Sequence, residues 1–234
     1  MLTVAFQVHS ASVVGPGHLQ SGLPNQDTVQ VRNGRKQWVA VVSDGMGSKP
    51  HAALGSKMAC RAAHQVIKES DFTISDRELV QNLYRRWLLL LGEINPRDAV
   101  ATILIAWGCA DGKCRLLQLG DGVALFTHGG TTRILDSRNQ QAFLNETTGL
   151  GISKKMSDWS CAHTDLFKLG DHVILMTDGI SDDIEDFDQF APDLISSLTS
   201  KGSRYSKCWL KKQLTEWPTP FHTDDKTIAV VSRR

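Results

Sequence analysis

Three apolar runs in this chain each stop at an aspartate that is followed by glycine: "WVAVVSDG" at Asp44, "LLQLGDG" at Asp121 and "HVILMTDG" at Asp178. A fourth apolar run, "KTIAVV", starts just after Asp225. Short runs rich in β-branched residues read as strands, so the four acids stand at strand ends. Any one Asp-Gly pair is an ordinary turn signal, and for a single pair that reading holds. As a set they constrain the fold more strongly. Strands of one sheet system can bring their ends together, and clustered carboxylates repel one another unless a cation neutralises them. Oxygen-only ligands suit hard cations such as Mg²⁺ or Mn²⁺, and glycine after each acid lets backbone and water approach where a Cβ would obstruct. Two such cations about 3.5–4 Å apart can share a water and aim it at phosphorus.

The rest of the chain supports a layered arrangement. Residues 2–9 alternate as a strand, and "DTVQVRNGRKQWVAVVS" reads as a hairpin turning at Asn33-Gly34. From His51 to Glu69 the apolar period becomes helical, with Leu54, Met58, Ala62 and Val66 on one stripe. A second helix opens at Ser75 with the capping box "SDRE", in which Glu78 reaches back, and continues through Leu79, Leu83, Trp87 and Leu91. Strands return over "VATILIAWGC", a turn at Asp111-Gly112, and "CRLLQLGDGVALFTHGGTTRIL". Residues 136–168 are polar and irregular and read as a surface insertion. The strand ending at Asp178 follows, then an acidic stretch read as a solvated loop, a helix near 205–216 and a closing strand "KTIAVVSR". Strands fall in two blocks around a helix pair, with no βαβα alternation. That pattern predicts an α+β layered sandwich in a single domain, 1–234, rather than a doubly wound parallel sheet.

Composition narrows the function classes. At 234 residues the chain can bury a core without disulfides or structural metal. A formal charge of +1 argues against nucleic acid or an anionic membrane as the main partner. The five cysteines include no CxxC pair, and Cys109 and Cys114, which flank a turn, read as free thiols. No apolar run approaches the roughly 20 residues that span a bilayer. The N-terminus lacks a basic leader, so the expected location is cytoplasmic.

Five motifs stand in a familiar order: "NQD" at 25–27, "SDGMGS" at 43–48, "LGDG" at 119–122, "TDGISD" at 177–182 and "DDKTIAVV" at 224–231. Together they resemble the metal-dependent protein phosphatase family of the protein phosphatase 2C type. "HLQSGLPNQD" at 18–27 and "NET" at 145–147 resemble its compact bacterial branch. The resemblance implies a four-layer α-β-β-α sandwich, two central antiparallel sheets flanked by helix pairs, with about 131–168 as a flap beside the active site. It also implies hydrolysis of phosphoserine or phosphothreonine by a water or hydroxide bridging two Mn²⁺ or Mg²⁺ ions, with a third, weaker ion in many members. The partners so implied are phosphorylated proteins and an opposing serine/threonine kinase. The oligomeric state is left open.

Carried over residue by residue, the resemblance makes Asp44 the acid that bridges both metals and gives the Gly45 carbonyl to one of them. Asp178 and Asp225 become the other direct ligands. Asp27 becomes an acid acting through coordinated waters, and Asp182 a ligand of the third metal, with Asp98 a candidate to complete that site. Thr102 matches a structural threonine beneath the site. His18 belongs to the branch pattern and is a candidate to hydrogen-bond phosphate or protonate the leaving oxygen. Three positions depart from the pattern. Gly22 stands where many relatives place a phosphate-gripping Arg, Lys226 stands where many have Asn, and Gly122-Val123 replaces Ser-Arg, so Asp121 reads as a hydrogen-bonding support rather than a ligand. Gly22 and Lys226 motivate an alternative: a catalytically weak or silent relative that binds phosphoproteins as a regulatory module.

Overall fold

The computed structural model describes residues 6–135, 148–201, 203–218 and 223–234. Ten strands among them form two five-stranded sheets in which every hydrogen-bonded neighbour is antiparallel. The first sheet has the order β1 (Phe6–Val13), β10 (Lys226–Arg233), β9 (His172–Met176), β6 (Val123–His128), β7 (Thr131–Leu135). The second has the order β2 (Thr28–Asn33), β3 (Gln37–Ser43), β4 (Ile103–Cys109), β5 (Lys113–Leu119), β8 (Ser160–Asp165).

The central strands are apolar on both faces because each sheet is covered twice. Along β3, Val39 and Val41 face the helices α2 (Ala52–Glu69) and α3 (Asp76–Leu91), packing with Met58, Leu83 and Trp87. Trp38, Ala40 and Val42 on the same strand, with Leu104 beside them on β4, face the other sheet and meet Val173 and Val231. A third apolar layer joins the first sheet, through Leu125, Ile174 and Val230, to Leu194 of α5 (Phe187–Thr199) and Leu210 of α6 (Ser203–Thr215). The layers run helix pair, sheet, sheet, helix pair, so the α+β sandwich predicted above is the observed fold. Leu104, fully buried between the sheets, belongs to the class of core leucines whose truncation to Ala costs about 2–5 kcal/mol.

Both helices predicted between the strand blocks form. Ser75 Oγ accepts the Glu78 N–H at 3.2 Å and caps α3. Three α-helices stand in two places where the sequence pattern predicts none. One place holds α1 (Pro16–Ser21), a short segment with Pro at its first position. The other holds α5, which is preceded by α4 (Asp178–Ser181) within the acidic stretch. That stretch is thus partly helical rather than a loop: Asp186 caps α5 by accepting the Gln189 N–H at 3.0 Å, and the interior Pro192 disguises the helix in the sequence. Residues 148–168, the described part of the expected irregular insertion, also differ from it. Their last part holds β8, an edge strand paired to β5 whose outward side chains are polar because they face solvent. Residues 2–5 of the first expected strand, residues 136–147 of the expected flap, and with them "NET", lie outside the described residues. No described helix is long and apolar enough to cross a membrane.

Candidate active site

Antiparallel pairing decides which strand ends meet. In the second sheet the ends of β3 and β5 and the starts of β2 and β4 share one edge, with Thr28 opposite Ser43 and Ile103 opposite Leu119. In the first sheet the end of β9 meets the start of β10, and the Thr177 N–H donates to Thr227 O at 3.1 Å. Asp27, Asp44, Asp178 and Asp225 are therefore delivered to sheet ends by four different strands. Asp121 joins them at the crossover from β5 in one sheet to β6 in the other, a turn tied by Gln118 Nε2 donating to Gly122 O at 2.5 Å.

One carboxylate oxygen each from Asp44, Asp121 and Asp178 lies within 4.8 Å of the others. Asp44 is fixed by its own backbone: its N–H donates to Thr102 Oγ1 at 3.0 Å and its carbonyl accepts the Thr102 N–H at 2.8 Å. Thr102 thus supports the site, as its motif position implies. Asp178 opens α4 and accepts the Gly179 N–H at 2.8 Å. Asp27, 7% exposed, accepts from Thr177 Oγ1 at 2.9 Å and shares a hydrogen bond with the Asp44 carboxyl. Gly45 donates its N–H to Gln26 O at 3.1 Å, and a Cβ there would stand 2.3 Å from Ala52 O. Only glycine lets the chain pass so close beneath α2.

The electrostatics of this group are unbalanced. Burial pushes Asp27 up to about 7, and the Asp225 charge pushes the same way against hydrogen bonds that favour the carboxylate. Burial, then the neighbouring Asp121, Asp224 and Asp27, raise Asp178 to about 7. Asp44 is raised well above the usual carboxylate range by burial and by Asp27 and Asp178. Acids so crowded either share protons or hold a cation. An all-oxygen donor set of this kind fits a hard divalent ion.

A second cluster lies at the start of β10, where ligand atoms of His18, Asp224 and Asp225 lie within 4.8 Å of one another. Asp225 is 2% exposed and well supplied with donors. Its Oδ1 accepts the Gly15 N–H at 2.7 Å, its Oδ2 accepts the Gln26 N–H at 2.6 Å, and His18 Nδ1 stands 2.9 Å from Oδ2. The helix α1 exists to make this contact possible: it carries His18 over Asp225 and ends at Gly22, whose φ of 66° is left-handed. That conformation explains why glycine, not arginine, occupies position 22. Lys226 is 3% exposed and its Nζ donates to the Asp224 carbonyl at 3.0 Å.

The two candidates for a third ion lie outside both clusters. Asp182 is the exposed C-terminal cap of α4, with its N–H on the Asp178 carbonyl at 3.0 Å. Asp98 ends a 3-10 turn before β4 and accepts the His51 N–H through its carbonyl at 2.8 Å. The residue that does stand with Asp44 and Asp178 is Asp121, read from the sequence as a support. The signal for it was the recurrence itself, because Asp121 ends an apolar strand before glycine just as Asp44 and Asp178 do. Asp224, adjacent to Asp225, carried no separate signal.

Comparison with known proteins agrees with this architecture. No curated protein sequence matches the chain. Among solved structures, a serine/threonine phosphatase from S. agalactiae superposes with a TM-score of 0.70 at 15% identity, covering 98% of this chain and 100% of that one. PppA, a regulatory component of the type VI secretion system of Pseudomonas aeruginosa, superposes at 0.66 with 18% identity, covering 98% of each chain. The catalytic domain of the serine/threonine phosphatase PstP, solved with two manganese ions, superposes at 0.66 with 15% identity, covering 98% of this chain and 99% of that one. At such identities these structures establish the shared fold. The profile of the protein phosphatase 2C family matches residues 14–217, most of the chain and every strand-end acid except Asp224 and Asp225. This chain belongs to the protein phosphatase 2C family.

Proposed function

We propose that the chain is a metal-dependent protein serine/threonine phosphatase. It would act on phosphoserine and phosphothreonine in proteins and oppose a serine/threonine kinase. The observation that carries the reading is the convergence of Asp44, Asp121 and Asp178 within 4.8 Å, in a chain of this family. In this reading Asp44, Asp178, Asp225 and the Gly45 carbonyl hold two Mn²⁺ or Mg²⁺ ions, with Asp27 beside them, and Asp121 and Asp182 serve a weaker third. When bound, the ions supply charge against the phosphoryl group and acidify a water for attack.

The chain's own groups do the remaining work. Thr102 orients Asp44 through two backbone contacts, and Thr177 orients Asp27. Gly15, Gln26 and His18 aim Asp225. We assign His18 to that carboxylate in the first place, ahead of the leaving oxygen. The described residues between β7 and β8, from 148 to 159, would border the substrate on one side.

The test is turnover of p-nitrophenyl phosphate and of a phosphothreonine peptide. Mn²⁺ should support both and EDTA should abolish both. Turnover indifferent to EDTA would overturn the metal-dependent mechanism. A well-folded protein that binds phosphopeptides without turning any over would establish the silent regulatory module instead.

A further inference from the structure

A groove of ≈ 590 Å³ runs between α5, α6 and the turn that follows α4. Phe190, Leu194, Trp209, Leu210, Leu214 and Trp217 give it an apolar wall. Four acids line it as well, Asp183, Glu185, Asp186 and Asp193, and among the described residues its lining includes no Lys or Arg. Two of these acids have local work: Asp183 accepts the Trp217 indole N–H at 2.8 Å, and Asp186 caps α5. Glu185 and Asp193 are exposed at the rim. The Trp209 ring already takes a cation from the chain itself, with Lys201 Nζ 5.0 Å from its centroid.

The place of the groove matters as much as its chemistry. It opens where α4 ends, and α4 begins with Asp178. Ile228, in its lining, stands three residues beyond Asp225 on β10. A peptide lying here can keep a neighbouring phosphorylated side chain close to the acid clusters, raising its effective concentration there.

We propose that this groove docks a cationic, amphipathic segment of the phosphoprotein substrate. Its apolar side chains lie against Phe190, Trp209 and Trp217, and its Lys or Arg side chains meet Glu185 and Asp193. Apolar burial supplies the affinity, and the acids of the lining, which outnumber the single cation Lys201 at the Trp209 ring, select the sign of the partner. The proposal rests on the phosphatase reading for the word substrate, while the docking itself can be measured without turnover.

The experiment uses the whole chain, an unphosphorylated Lys/Leu amphipathic peptide and its Glu/Leu counterpart, followed by calorimetry and tryptophan emission. The cationic peptide should bind, the anionic one should not, and the double reversal Glu185→Lys with Asp193→Lys should weaken binding about 10-fold or more. A phosphothreonine peptide extended by the cationic arm should show a KM raised by a similar factor in the double variant, with p-nitrophenyl phosphate turnover equal in both proteins. Equal binding of both peptides, or binding indifferent to the reversal, would overturn the docking site. Self-association of the chain that the reversal abolishes would overturn it in favour of a second copy. Cationic binding that obeys the reversal, in a protein that turns over no phosphate ester, would retain the docking site and defeat the phosphatase reading alone.

Discussion

Asp225 and Asp44 stand at the same end of the sandwich, yet their surroundings differ in kind. Asp225 is nearly sealed from solvent, and its oxygens meet two backbone N–H groups and the His18 ring within 2.9 Å. Asp44 shares a hydrogen bond with another carboxyl and faces Asp178 and Asp121. Asp225 is the more buried of the two, so burial alone does not decide whether an acid is at ease. Donors do. The first acid is held by the fold itself, through the loop that carries α1. The second belongs to a group that the fold leaves in conflict, which is what a cation site requires before its ion arrives.

The strongest test of this contrast pairs two substitutions. Asp44→Asn should lower phosphatase turnover about 10³-fold or more, while raising the thermal midpoint of the EDTA-treated protein, because it removes charge from a crowded group. Asp225→Asn should also abolish turnover but lower that midpoint. A weakened hydrogen-bond set around a buried carboxylate costs about 1–3 kcal/mol, and each kcal/mol is about 2–4 °C for a chain of this size. Midpoint shifts of the same sign, read by calorimetry, would break the comparison.

His18 comes next. Partners that orient a metal ligand typically contribute about 10–100-fold in metal affinity or activity, so His18→Ala should raise the Mn²⁺ concentration for half-maximal turnover by that order. His18→Asn, whose amide can reach Asp225 as a neutral donor, should recover part of the loss. A change in phosphate-ester KM alone, with Mn²⁺ dependence intact, would reassign His18 to the substrate.

A smaller effect separates the candidates for the third ion. Asp121→Asn should weaken Mn²⁺ activation about 10-fold, whereas Asp98→Asn should leave it unchanged. The reverse order, measured by Mn²⁺ titration of turnover, would favour Asp98 as the residue that completes the site beside Asp182.

The smallest effect is a pH dependence of the metal-free protein. Asp27 and Asp178 are raised to about 7 in the fold, against about 3.9 for an unperturbed Asp. Between those values the folded state binds more protons than the unfolded chain, so stability falls as pH rises. The EDTA-treated protein should melt higher at pH 5 than at pH 7.5, and saturating Mn²⁺ should remove or invert the trend. A midpoint that rises with pH without metal would contradict the crowding of the site.

Much of the fold was legible in the chain because it follows from local periodicity. The stripe through Met58 and Val66 and the cap at Ser75 are each contained within a few residues, and the hairpin expected at Asn33-Gly34 forms but turns at Arg35-Lys36, with Asn33 still paired in β2. Where local signals conflict, legibility ended. Pro192 and a run of acids concealed α5, and the polar face of β8 concealed an edge strand, because an edge needs no second apolar face. In the candidate site, Asp44 and Asp178 were legible as strand ends before glycine. Asp121 was legible in the same way, and was read as a hydrogen-bonding support because the departure at Gly122-Val123 was weighed above its position.

The sequence by itself determined which acids stand at strand ends, because alternation, apolar runs and Asp-Gly pairs are written residue by residue. It also determined family membership, since the motifs keep their order along the chain. Only the tertiary structure decided which acids meet and which are satisfied. Antiparallel pairing gathers the ends of β3 and β5 along one sheet edge and brings the end of β9 to the start of β10 in the other sheet, packing of the two sheets sets those edges together, and α1 folds back so that Gly15, His18 and Gln26 reach Asp225. The physical reason is range. A strand is specified by its neighbours in sequence, whereas the charge balance of a buried carboxylate is set by groups within a few ångströms that the chain delivers from distant positions.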